Sequence, residues 1–464
     1  MLGGYTSGCF GRTVDPSNTI LDAAGESDTV LDLRNNNGGD VSIEGFTIQN
    51  GYGYVGGLWA LSELPLATTS GTAGVITMTN NIVTGNTSTS NYGGVWAHSK
   101  ANLNNTATSG GNVTLTNNTI TGNTANGHYG GVCALSEGPN GTGTVTLEDN
   151  TITGNNATTG QYGGVFAGSD QNALSHSALG GDVTLTNNII SGNTAYTRYG
   201  GGRISSDGSI GTGTITLTNN TISENNATTS NDGCGGIYVL SYTYNGSTGG
   251  DIILANNTIT GNTATAGSYG GVYVYSLTND GTAGDVTLIN NTITGNTANT
   301  NYGGVYVYSY EANMGTMGSI TLTNNTISDN TANSMYGGCG LSSGATIYCS
   351  NNIIWGNTAS STDDLRIPES FSIRIGRNND YSEIEGSWNS ETGKIDENPL
   401  FVGSGDYHLQ SGSDCIDAGY NNAPSIPDYD FEGDPRIHKG TVDIGADEYA
   451  PSGIISHLLM LLLN

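Results

Sequence analysis

Basic residues are scarce in this chain of 464 residues: 11 Lys and Arg stand against 40 Asp and Glu, and the formal net charge is −29. Between positions 41 and 340 the only basic residues are Lys100, Arg198 and Arg203. Binding to the phosphates of DNA or RNA requires clustered Lys and Arg side chains. The composition therefore argues against nucleic acid as a partner and is typical of a soluble, secreted surface.

Cysteine is rare as well. The six cysteines are widely spaced and form no CxxC pair of the kind that builds metal sites. We therefore expect neither a disulfide framework nor a metal site built on cysteine. A single bond between Cys339 and Cys349 is left open.

Apolar runs long enough to span a membrane are missing. The chain ends in IISHLLMLLLN (Ile454–Asn464), about half of the ~20 apolar residues that a spanning helix needs. Its first residues, MLGGYTSGCFGR, lack the pattern of a secretion signal. We interpret residues 451–464 as an anchor remnant and expect the natural N-terminus to lie upstream of Met1. A membrane would then be reached only through a missing anchor.

Glycine, by contrast, is abundant with 73 residues, and Gly-Gly doublets recur at a nearly fixed period. Steps of 33 to 37 residues separate the second glycines of the doublets, which are Gly57, Gly94, Gly131, Gly164, Gly201, Gly236, Gly271, Gly304 and Gly338. A period in this range is typical of a solenoid or a propeller.

Each unit holds three short segments of alternating apolar residues, such as GVYVYS (Gly304–Ser309), SITLTN (Ser319–Asn324) and NTISDN (Asn325–Asn330). Alternation indicates β-strands, and helical spacing is absent. Asn-Asn, Gly-Asn and Gly-Gly pairs between the segments favour turns with left-handed backbone. We predict an all-β, right-handed parallel β-helix over residues 1–394, with about ten coils of three strands, and an irregular C-terminal cap over residues 395–450. A propeller, which needs four antiparallel strands per blade, is the second choice.

Asparagines at equivalent positions predict ladders between the coils. In VTLTNN, alternation directs Val113 and Leu115 inward and then Asn117, so amides at this position would hydrogen-bond from coil to coil inside the turn. The predicted structural ladder is Asn80, Asn117, Asn187, Asn219, Asn256, Asn290, Asn324 and Asn351. The asparagines of the GNT triplets predict a second one, made of Asn86, Asn123, Asn193, Asn262, Asn296 and Asn357.

Aromatic residues follow the glycine doublets. The second residue after each doublet should face solvent. We expect an aromatic stripe there, made of Trp59, Trp96, Phe166, Tyr238, Tyr273 and Tyr306. Aromatic rings suit β-strands and stack on one another, so the stripe has a structural interpretation. Its alternative interpretation is a contact surface for a polysaccharide, a surface glycan or a protein.

Catalytic residues are harder to find. Glycoside hydrolysis needs two carboxylates about 5–9.5 Å apart. Acids that precede the second strand of a unit are the candidates: Asp40, Asp182, Asp251 and Asp285. Only Asp251 and Asp285 belong to successive units, and we interpret them as turn acids in preference to Ca²⁺ ligands. The histidines His98, His128 and His176 have no recognisable acid partner, so no catalytic residue is predicted.

The C-terminal region carries a specific resemblance. NPLFVGSGDYHLQSGSDCIDAG (Asn398–Gly419) followed by DYDFEGDPRIHKGTVDIGADEY (Asp428–Tyr449) resembles the choice-of-anchor Q domain of bacterial and archaeal surface proteins. VSIEGFTIQNG (Val41–Gly51) and the NNTITGN units are similar to the right-handed β-helix repeats that accompany this domain. The resemblance implies an exported, surface-displayed protein, and it assigns no catalytic residues.

Within that region, the DxDxxGxxR run places Asp428, Asp430 and Arg436 close together. An ion pair of Arg436 with Asp443 or Glu448 is one interpretation, and a Ca²⁺ loop is the other. Apart from this Ca²⁺ alternative we expect no cofactor.

The sequence therefore favours a non-catalytic, extracellular or cell-surface β-helix for adhesion, glycan contact or assembly. Its ladders would also permit self-association into filaments. The alternative is a polysaccharide lyase or glycoside hydrolase of the pectin-lyase-like fold.

Overall fold

The computed structural model describes residues 1, 14–24, 28–105, 107–170, 178–245, 247–313, 315–367, 373–438 and 440–450. Over these residues the chain forms an all-β, right-handed parallel β-helix, which confirms the predicted fold class. Three long parallel sheets contain 12 strands each, and a fourth contains 9. About nine coils therefore carry all four strands, where the sequence predicted three strands per coil.

Sheet 1 follows the glycine doublets and consists of Leu31–Asn35, Leu58–Glu63, Val95–Lys100, Val132–Glu137, Val165–Asp170, Gly202–Gly208, Ile237–Thr243, Val272–Thr278, Val305–Glu311, Cys339–Ser342, Leu365–Arg366 and Ile384–Glu385. Sheet 2 consists of Val41–Glu44, Ile76–Thr79, Val113–Thr116, Val145–Glu148, Val183–Thr186, Ile215–Thr218, Ile252–Ala255, Val286–Ile289, Ile320–Thr323, Ile347–Ser350, Arg374–Arg377 and Ser390–Thr392.

Sheet 3 consists of Ile20–Asp22, Thr47–Gln49, Ile82–Thr84, Thr119–Thr121, Thr151–Thr153, Ile189–Ser191, Thr221–Ser223, Thr258–Thr260, Thr292–Thr294, Thr326–Ser328, Ile353–Trp355 and Asp380–Tyr381. Sheet 4, mostly of two-residue strands, consists of Tyr52–Val55, Thr87–Tyr92, Thr124–Ala125, Asn156–Ala157, Thr194–Ala195, Asn226–Ala227, Thr263–Ala264, Thr297–Ala298 and Thr331–Ala332.

Short elements complete the fold. The loops between sheets 1 and 2 pair Gly71–Thr72 with Thr108–Ser109 and Ser247–Thr248 with Gly281–Thr282. Residues Pro16–Asn18 form a 3₁₀ turn. No helix in the described part of the chain is long and apolar enough to span a bilayer.

The hydrophobic core fills the inside of the coils. Sheets 1, 2 and 3 each contribute inward residues, such as Val132, Leu147 and Ile152, and these are fully buried. Two cysteines share this environment: Cys339 lies on sheet 1 and Cys349 on sheet 2, and both are buried free thiols. A bond between Cys339 and Cys349 is therefore absent.

The asparagine ladder exists, but it is displaced by one residue from the predicted one. Asn117 has a left-handed backbone, with φ 52°, and an exposed side chain. That conformation interrupts the alternation, so the following residue, Asn118, points inward. The buried ladder is Asn81, Asn118, Asn150, Asn188, Asn220, Asn257, Asn291, Asn325, Asn352 and Asn379.

The amides within the ladder make bonds in both directions along the axis, as Asn188 illustrates. The Oδ1 of Asn188 accepts from the backbone N and Nδ2 of Asn150, both at 3.0 Å. The Nδ2 of Asn188 donates to Leu147 O at 2.9 Å and to Asn220 Oδ1 at 3.0 Å. The GNT asparagines belong to a second buried ladder, as predicted, and this ladder also contains Asn155 of a GNN triplet, which bonds to Asn123 and Asn193.

The predicted ladder residues are turn residues with φ between 52° and 57°: Asn80, Asn117, Asn187, Asn219, Asn256, Asn290, Asn324 and Asn351. Side chains bond between Asn80 and Asn117, between Asn256 and Asn290, and between Asn324 and Asn351. Each of these contacts joins one coil to the next, and the row lies on the outer side of the turn. It is buried only where the C-terminal residues cover it.

The glycine doublets have a different role from the predicted one. Gly163 and Gly164 do not adopt positive φ. A Cβ on Gly163 would lie 2.4 Å from Gly200 O, and one on Gly164 would lie 2.5 Å from Gly201 O. Glycine is required here because the next coil's backbone approaches closely.

The residues after the last coil fold back along the side of the β-helix. Phe401–Gly403 and Asp406–Leu409 form an antiparallel hairpin. Further along the chain, Asn324 Nδ2 donates to Asp443 O at 2.9 Å, and Asn351 Oδ1 accepts from Tyr420 N at 2.7 Å. These residues thus lie against the row of turn asparagines, beside sheet 3.

Candidate functional site

The outer face of sheet 1 carries a column of stacked aromatic rings. At three glycine doublets the preceding tyrosine stacks on the aromatic residue that follows the doublet: Tyr92 on Trp96, Tyr269 on Tyr273 and Tyr302 on Tyr306. Centroids are 4.1 Å apart for Tyr92 and Trp96, at an interplanar angle of 2°, and 4.1 Å apart for Tyr302 and Tyr306. The column continues between coils, as Trp59 stacks on Trp96 at 4.7 Å.

Exposure along the predicted aromatic stripe is uneven. Trp59, Trp96, Tyr273 and Tyr306 are partly exposed. The middle of the stripe is shielded from solvent, because Phe166 is only 6% exposed and Tyr238 only 8%. Tyrosines that precede the doublets cover them: Tyr162 packs on Phe166 at 5.1 Å, and Tyr199 stacks on Tyr238 at 5.0 Å. The expectation of a continuous solvent-facing stripe is therefore wrong at Phe166 and Tyr238.

Cationic side chains lie over the rings at both ends and in the middle. The guanidinium of Arg34 lies 4.3 Å from the centroid of Trp59, and that of Arg366 lies 5.1 Å from Tyr336. Arg203 occupies the register position of the aromatic residue in its coil, and its guanidinium lies 5.8 Å from Phe166 and 5.9 Å from Tyr238. Cation–π contact at these distances stabilises both partners.

A second group of rings lies beside this column, and we call it the tyrosine patch. It consists of Tyr242, Tyr244, Tyr275, Tyr308 and Tyr310, all partly exposed. Tyr275 and Tyr308 are parallel, with an interplanar angle of 1° and centroids 5.2 Å apart. The patch therefore offers ring surfaces and phenolic hydroxyls to solvent across neighbouring coils.

Sheet 1 also aligns acidic residues that the sequence analysis missed. In the parallel register Glu137 pairs with Asp170, and Asp170 pairs with Asp207. We call these three residues the acid column. Neighbouring coils place them about 4.8 Å apart along the axis. The sequence does contain a signal for this alignment. Each acid stands six residues after the second glycine of a doublet, at the end of the segments VCALSE, VFAGSD and GRISSD.

Burial favours the protonated carboxyls of two members of the acid column, Asp170 and Asp207. Burial and the neighbouring Asp207 and Glu137 charges raise the pKa of Asp170 to about 8. Burial raises the pKa of Asp207 to about 6, against the opposing effect of the Arg203 charge. Arg203 Nη2 lies 3.3 Å from Asp207 Oδ2. The Oδ1 of Asp207 and the Nε of Arg203 are buried without a hydrogen-bond partner.

His98 adds a base at one end of the acid column. Its Nε2 lies 3.1 Å from Glu137 Oε2, and its side chain is 7% exposed. The expectation that His98 has no acid partner is therefore wrong. The partner is 39 residues away in sequence and is brought close by the strand register. His128 is exposed, whereas His176 lies outside the described residues, as do residues 451–464.

The acids predicted as candidates have a structural role. Asp251 Oδ1 accepts the backbone N–H of Asp285 at 2.9 Å, and Asp285 Oδ1 accepts that of Ser319 at 2.7 Å. Asp40 and Asp182 bind Val75 N and Thr214 N in the same way. These carboxylates connect one coil to the next at the entrance to sheet 2, which agrees with their interpretation as turn acids.

The DxDxxGxxR run also differs from its prediction. Arg436 is fully buried, and burial lowers its pKa to about 10. The guanidinium donates to Asn290 Oδ1 at 2.8 Å and to the carbonyls of Gly445 and Ala446. Its hydrogen bonds are thus made to an amide and the backbone, whereas the sequence predicted a carboxylate of Asp443 or Glu448.

Asp430 closes its own loop. Its Oδ1 accepts the backbone N–H groups of Glu432, Gly433 and Asp434 at 2.8–2.9 Å. Its Oδ2 accepts the N–H of Glu448 at 3.2 Å. The carboxylate is thereby engaged by the backbone on both oxygens.

Comparison with known proteins gives no assignment: no family model and no curated protein matches this chain. The resemblance to the choice-of-anchor Q domain therefore stays a hypothesis based on the C-terminal motif. What the chain does must be argued from its own surfaces.

Proposed function

We propose that this protein is an extracellular, cell-surface β-helix that binds polysaccharide along the outer face of sheet 1. The tyrosine patch carries the proposal. Sugar rings present apolar faces and hydroxyl edges, and tyrosine matches both with a ring and a phenolic hydroxyl. Partly exposed rings in register across coils would contact successive units of an extended glycan.

The strand register supports a linear ligand in particular. Tyr275 and Tyr308 occupy the same position on neighbouring coils, and Tyr242 and Tyr310 lie two positions further along their strands. Rings that repeat along one axis favour a ligand that also repeats. The low content of basic residues disfavours a polyanionic glycan, because few cations are available to bind its charges.

Binding to polysaccharide arrays tests this proposal. The double variant Tyr275→Ser, Tyr308→Ser removes two parallel rings, and we expect it to weaken binding at least tenfold, since stacking contributes about 1 kcal/mol per ring pair and more on desolvation. Tyr196→Ser is the matched control, because Tyr196 is 49% exposed and lies outside sheet 1. Equal binding by wild type and the double variant would reject the sheet 1 surface as the contact site.

Polysaccharide hydrolysis is a second candidate, and the acid column favours it. General acid catalysis at neutral pH requires a carboxyl that stays protonated, and burial gives Asp170 this property. Asp207 and Glu137, one coil away on either side, would supply the second carboxylate. Asp170 would then donate the proton to the departing sugar oxygen while the second carboxylate attacks the anomeric carbon, and a water molecule would afterwards release the sugar from that carboxylate.

Release of reducing ends from neutral polysaccharides measures this activity. We expect Asp170→Asn to abolish it and Asp251→Asn to leave it unchanged, since Asp251 binds only backbone among the described residues. If the wild type binds polysaccharide but releases no reducing ends, the non-catalytic function is retained and the hydrolase proposal is rejected.

Export, surface anchoring and self-association belong to the same proposal. Antibody labelling of intact source cells tests display at the surface. Light scattering at increasing protein concentration tests filament formation, and a constant monomer mass would contradict it.

A further inference from the structure

Three segments that follow the β-helix bring one imidazole and two carboxylates together. His408 lies on the hairpin strand Asp406–Leu409, Glu432 lies in the loop that Asp430 closes, and Asp447 belongs to the last described segment. One ligand atom from each of the three residues lies within 4.8 Å of the other two. This cluster is separate from sheet 1 and from the proposed polysaccharide surface.

The imidazole has a fixed orientation. His408 Nδ1 lies 2.5 Å from Asp406 Oδ1, and Nε2 lies 2.8 Å from Glu432 Oε2. The Nδ1 side is therefore held by a carboxylate, and Nε2 is directed towards the other two acids. A carboxylate that holds the second nitrogen is a common feature of histidines that bind metals.

Asp447 forms the buried side of the cluster. It is 5% exposed, and its Oδ2 accepts the backbone N–H of Leu409 at 2.8 Å. That bond fixes the carboxylate beside the imidazole. Together, Asp406, Glu432 and Asp447 bring three carboxylates to one imidazole, so the cluster has an excess of negative charge that a cation would compensate.

The cluster is accessible from solvent. A cavity of about 410 Å³ lies between sheet 3 and the hairpin and is lined by Asp406, His408 and Phe431 together with threonine side chains such as Thr260. An adjoining cavity of about 550 Å³ is lined by Glu432 and Asn256. An ion could enter here and keep water on its remaining coordination positions.

We propose that His408 Nε2, Glu432 and Asp447 bind one divalent transition-metal ion, such as Zn²⁺. Nitrogen with two carboxylate oxygens is a donor set that suits Zn²⁺, whereas Ca²⁺ prefers oxygen alone. The ion would replace the direct contact between His408 and Glu432 and would connect three segments of the C-terminal region. Asp406 acts as a positioning residue through Nδ1.

Calorimetric titration of the full chain with Zn²⁺ after chelator treatment tests the site. We expect one ion per chain, at least tenfold weaker binding for His408→Gln, Glu432→Gln and Asp447→Asn, and about tenfold weaker binding for Asp406→Asn. His128→Gln is the matched control, since His128 is an exposed histidine on a loop between sheet 4 and sheet 1. Circular dichroism checks that each variant is folded.

The result that supports the proposal is saturable Zn²⁺ binding that raises the thermal midpoint and depends on these residues, while Ca²⁺ does neither. Equal Zn²⁺ affinity for wild type and Glu432→Gln, a partly exposed position that tolerates substitution, would overturn it. Absence of saturable binding would also overturn it and would leave His408 as a cation paired with Asp406 and Glu432.

Discussion

Arg436 Nη2 donates a hydrogen bond of 2.8 Å to Asn290 Oδ1, and the two residues are 146 positions apart in the chain. Asn290 is a turn residue of the β-helix, with φ 57°, and Arg436 belongs to the segment that follows it. Their contact ties the C-terminal residues to the coils over which they fold.

Replacement of Arg436 by Met should release the C-terminal residues from the coils. The substitution removes the donor to Asn290 Oδ1 and the buried positive charge that the nearby carboxyls of Glu448 and Asp430 face, and we expect a loss of about 3–5 kcal/mol. Limited proteolysis with mass spectrometry should show early cleavage after residue 395. Arg198→Met, at an exposed arginine, is the control, and identical cleavage patterns for both variants would contradict the prediction.

Substitution of the neighbouring residues Asn187 and Asn188 should have very different effects on the free energy of unfolding. Asn188→Ala removes the acceptor of the buried Asn150 N–H and the donor to Leu147 O, which should cost roughly 1–3 kcal/mol per group left unsatisfied. Asn187→Gly should change the free energy of unfolding little, because glycine adopts the left-handed conformation of Asn187 readily. Urea midpoints of the two variants measure the difference, and similar midpoints would count against a structural ladder at Asn188.

Replacement of a doublet glycine by alanine should be costly despite the small change. A Cβ on Gly163 would meet Gly200 O at 2.4 Å and Thr194 C at 2.6 Å, and both are backbone atoms that cannot move independently. We expect a loss of about 1–3 kcal/mol, as for other overpacked sites. The control is Gly403→Ala, where no heavy atom lies within 4 Å of the added methyl group. Thermal unfolding of both variants provides the comparison.

Acidic pH should stabilise the folded protein through the acid column. The pKa of Asp170 is raised to about 8 in the folded protein, where Asp207 and Glu137 on the neighbouring strands and Arg203 face it. The folded state then binds more protons than the unfolded state between about pH 4 and pH 8, so stability decreases as the pH rises through this range. Asp207, with a pKa of about 6, acts in the same direction over a narrower range.

Thermal midpoints at pH 5 and pH 8.5 check this dependence. We expect the wild type to unfold at the higher temperature at pH 5. The thermal midpoint of Asp170→Asn should be higher than that of the wild type at pH 8.5 and equal to it at pH 5, because the amide mimics the protonated acid. An unchanged pH dependence in Asp170→Asn would show that other groups cause it.

The sequence predicted the coil and the presence of ladders, but it placed one ladder a residue too early. Strict alternation carried Asn117 inward after Val113 and Leu115. In the structure Asn117 adopts the left-handed backbone conformation. This conformation directs the side chain of Asn118, and not that of Asn117, into the core. Periodicity alone does not report such an interruption, because both residues of the pair are asparagine.

The candidate site was predicted less well than the fold. Glu137, Asp170 and Asp207 stand 33 and 37 residues apart in sequence, and each looks like an isolated surface acid. Their common environment becomes evident only when the strands are placed in register. Burial of Phe166 and Tyr238 was missed because it depends on how rings pack: Tyr162 covers Phe166 across a glycine doublet, and Tyr199 covers Tyr238 from the preceding coil.

Sequence by itself determined the period, the apolar alternation and the turn residues of this protein, because these depend on local conformational preference and on the spacing of one unit. Tertiary structure decided which polar groups are buried together, which rings are exposed, and where the C-terminal residues lie. Those features depend on contacts between units or between distant segments, such as His408 with Glu432 and Arg436 with Asn290, and no local pattern encodes them.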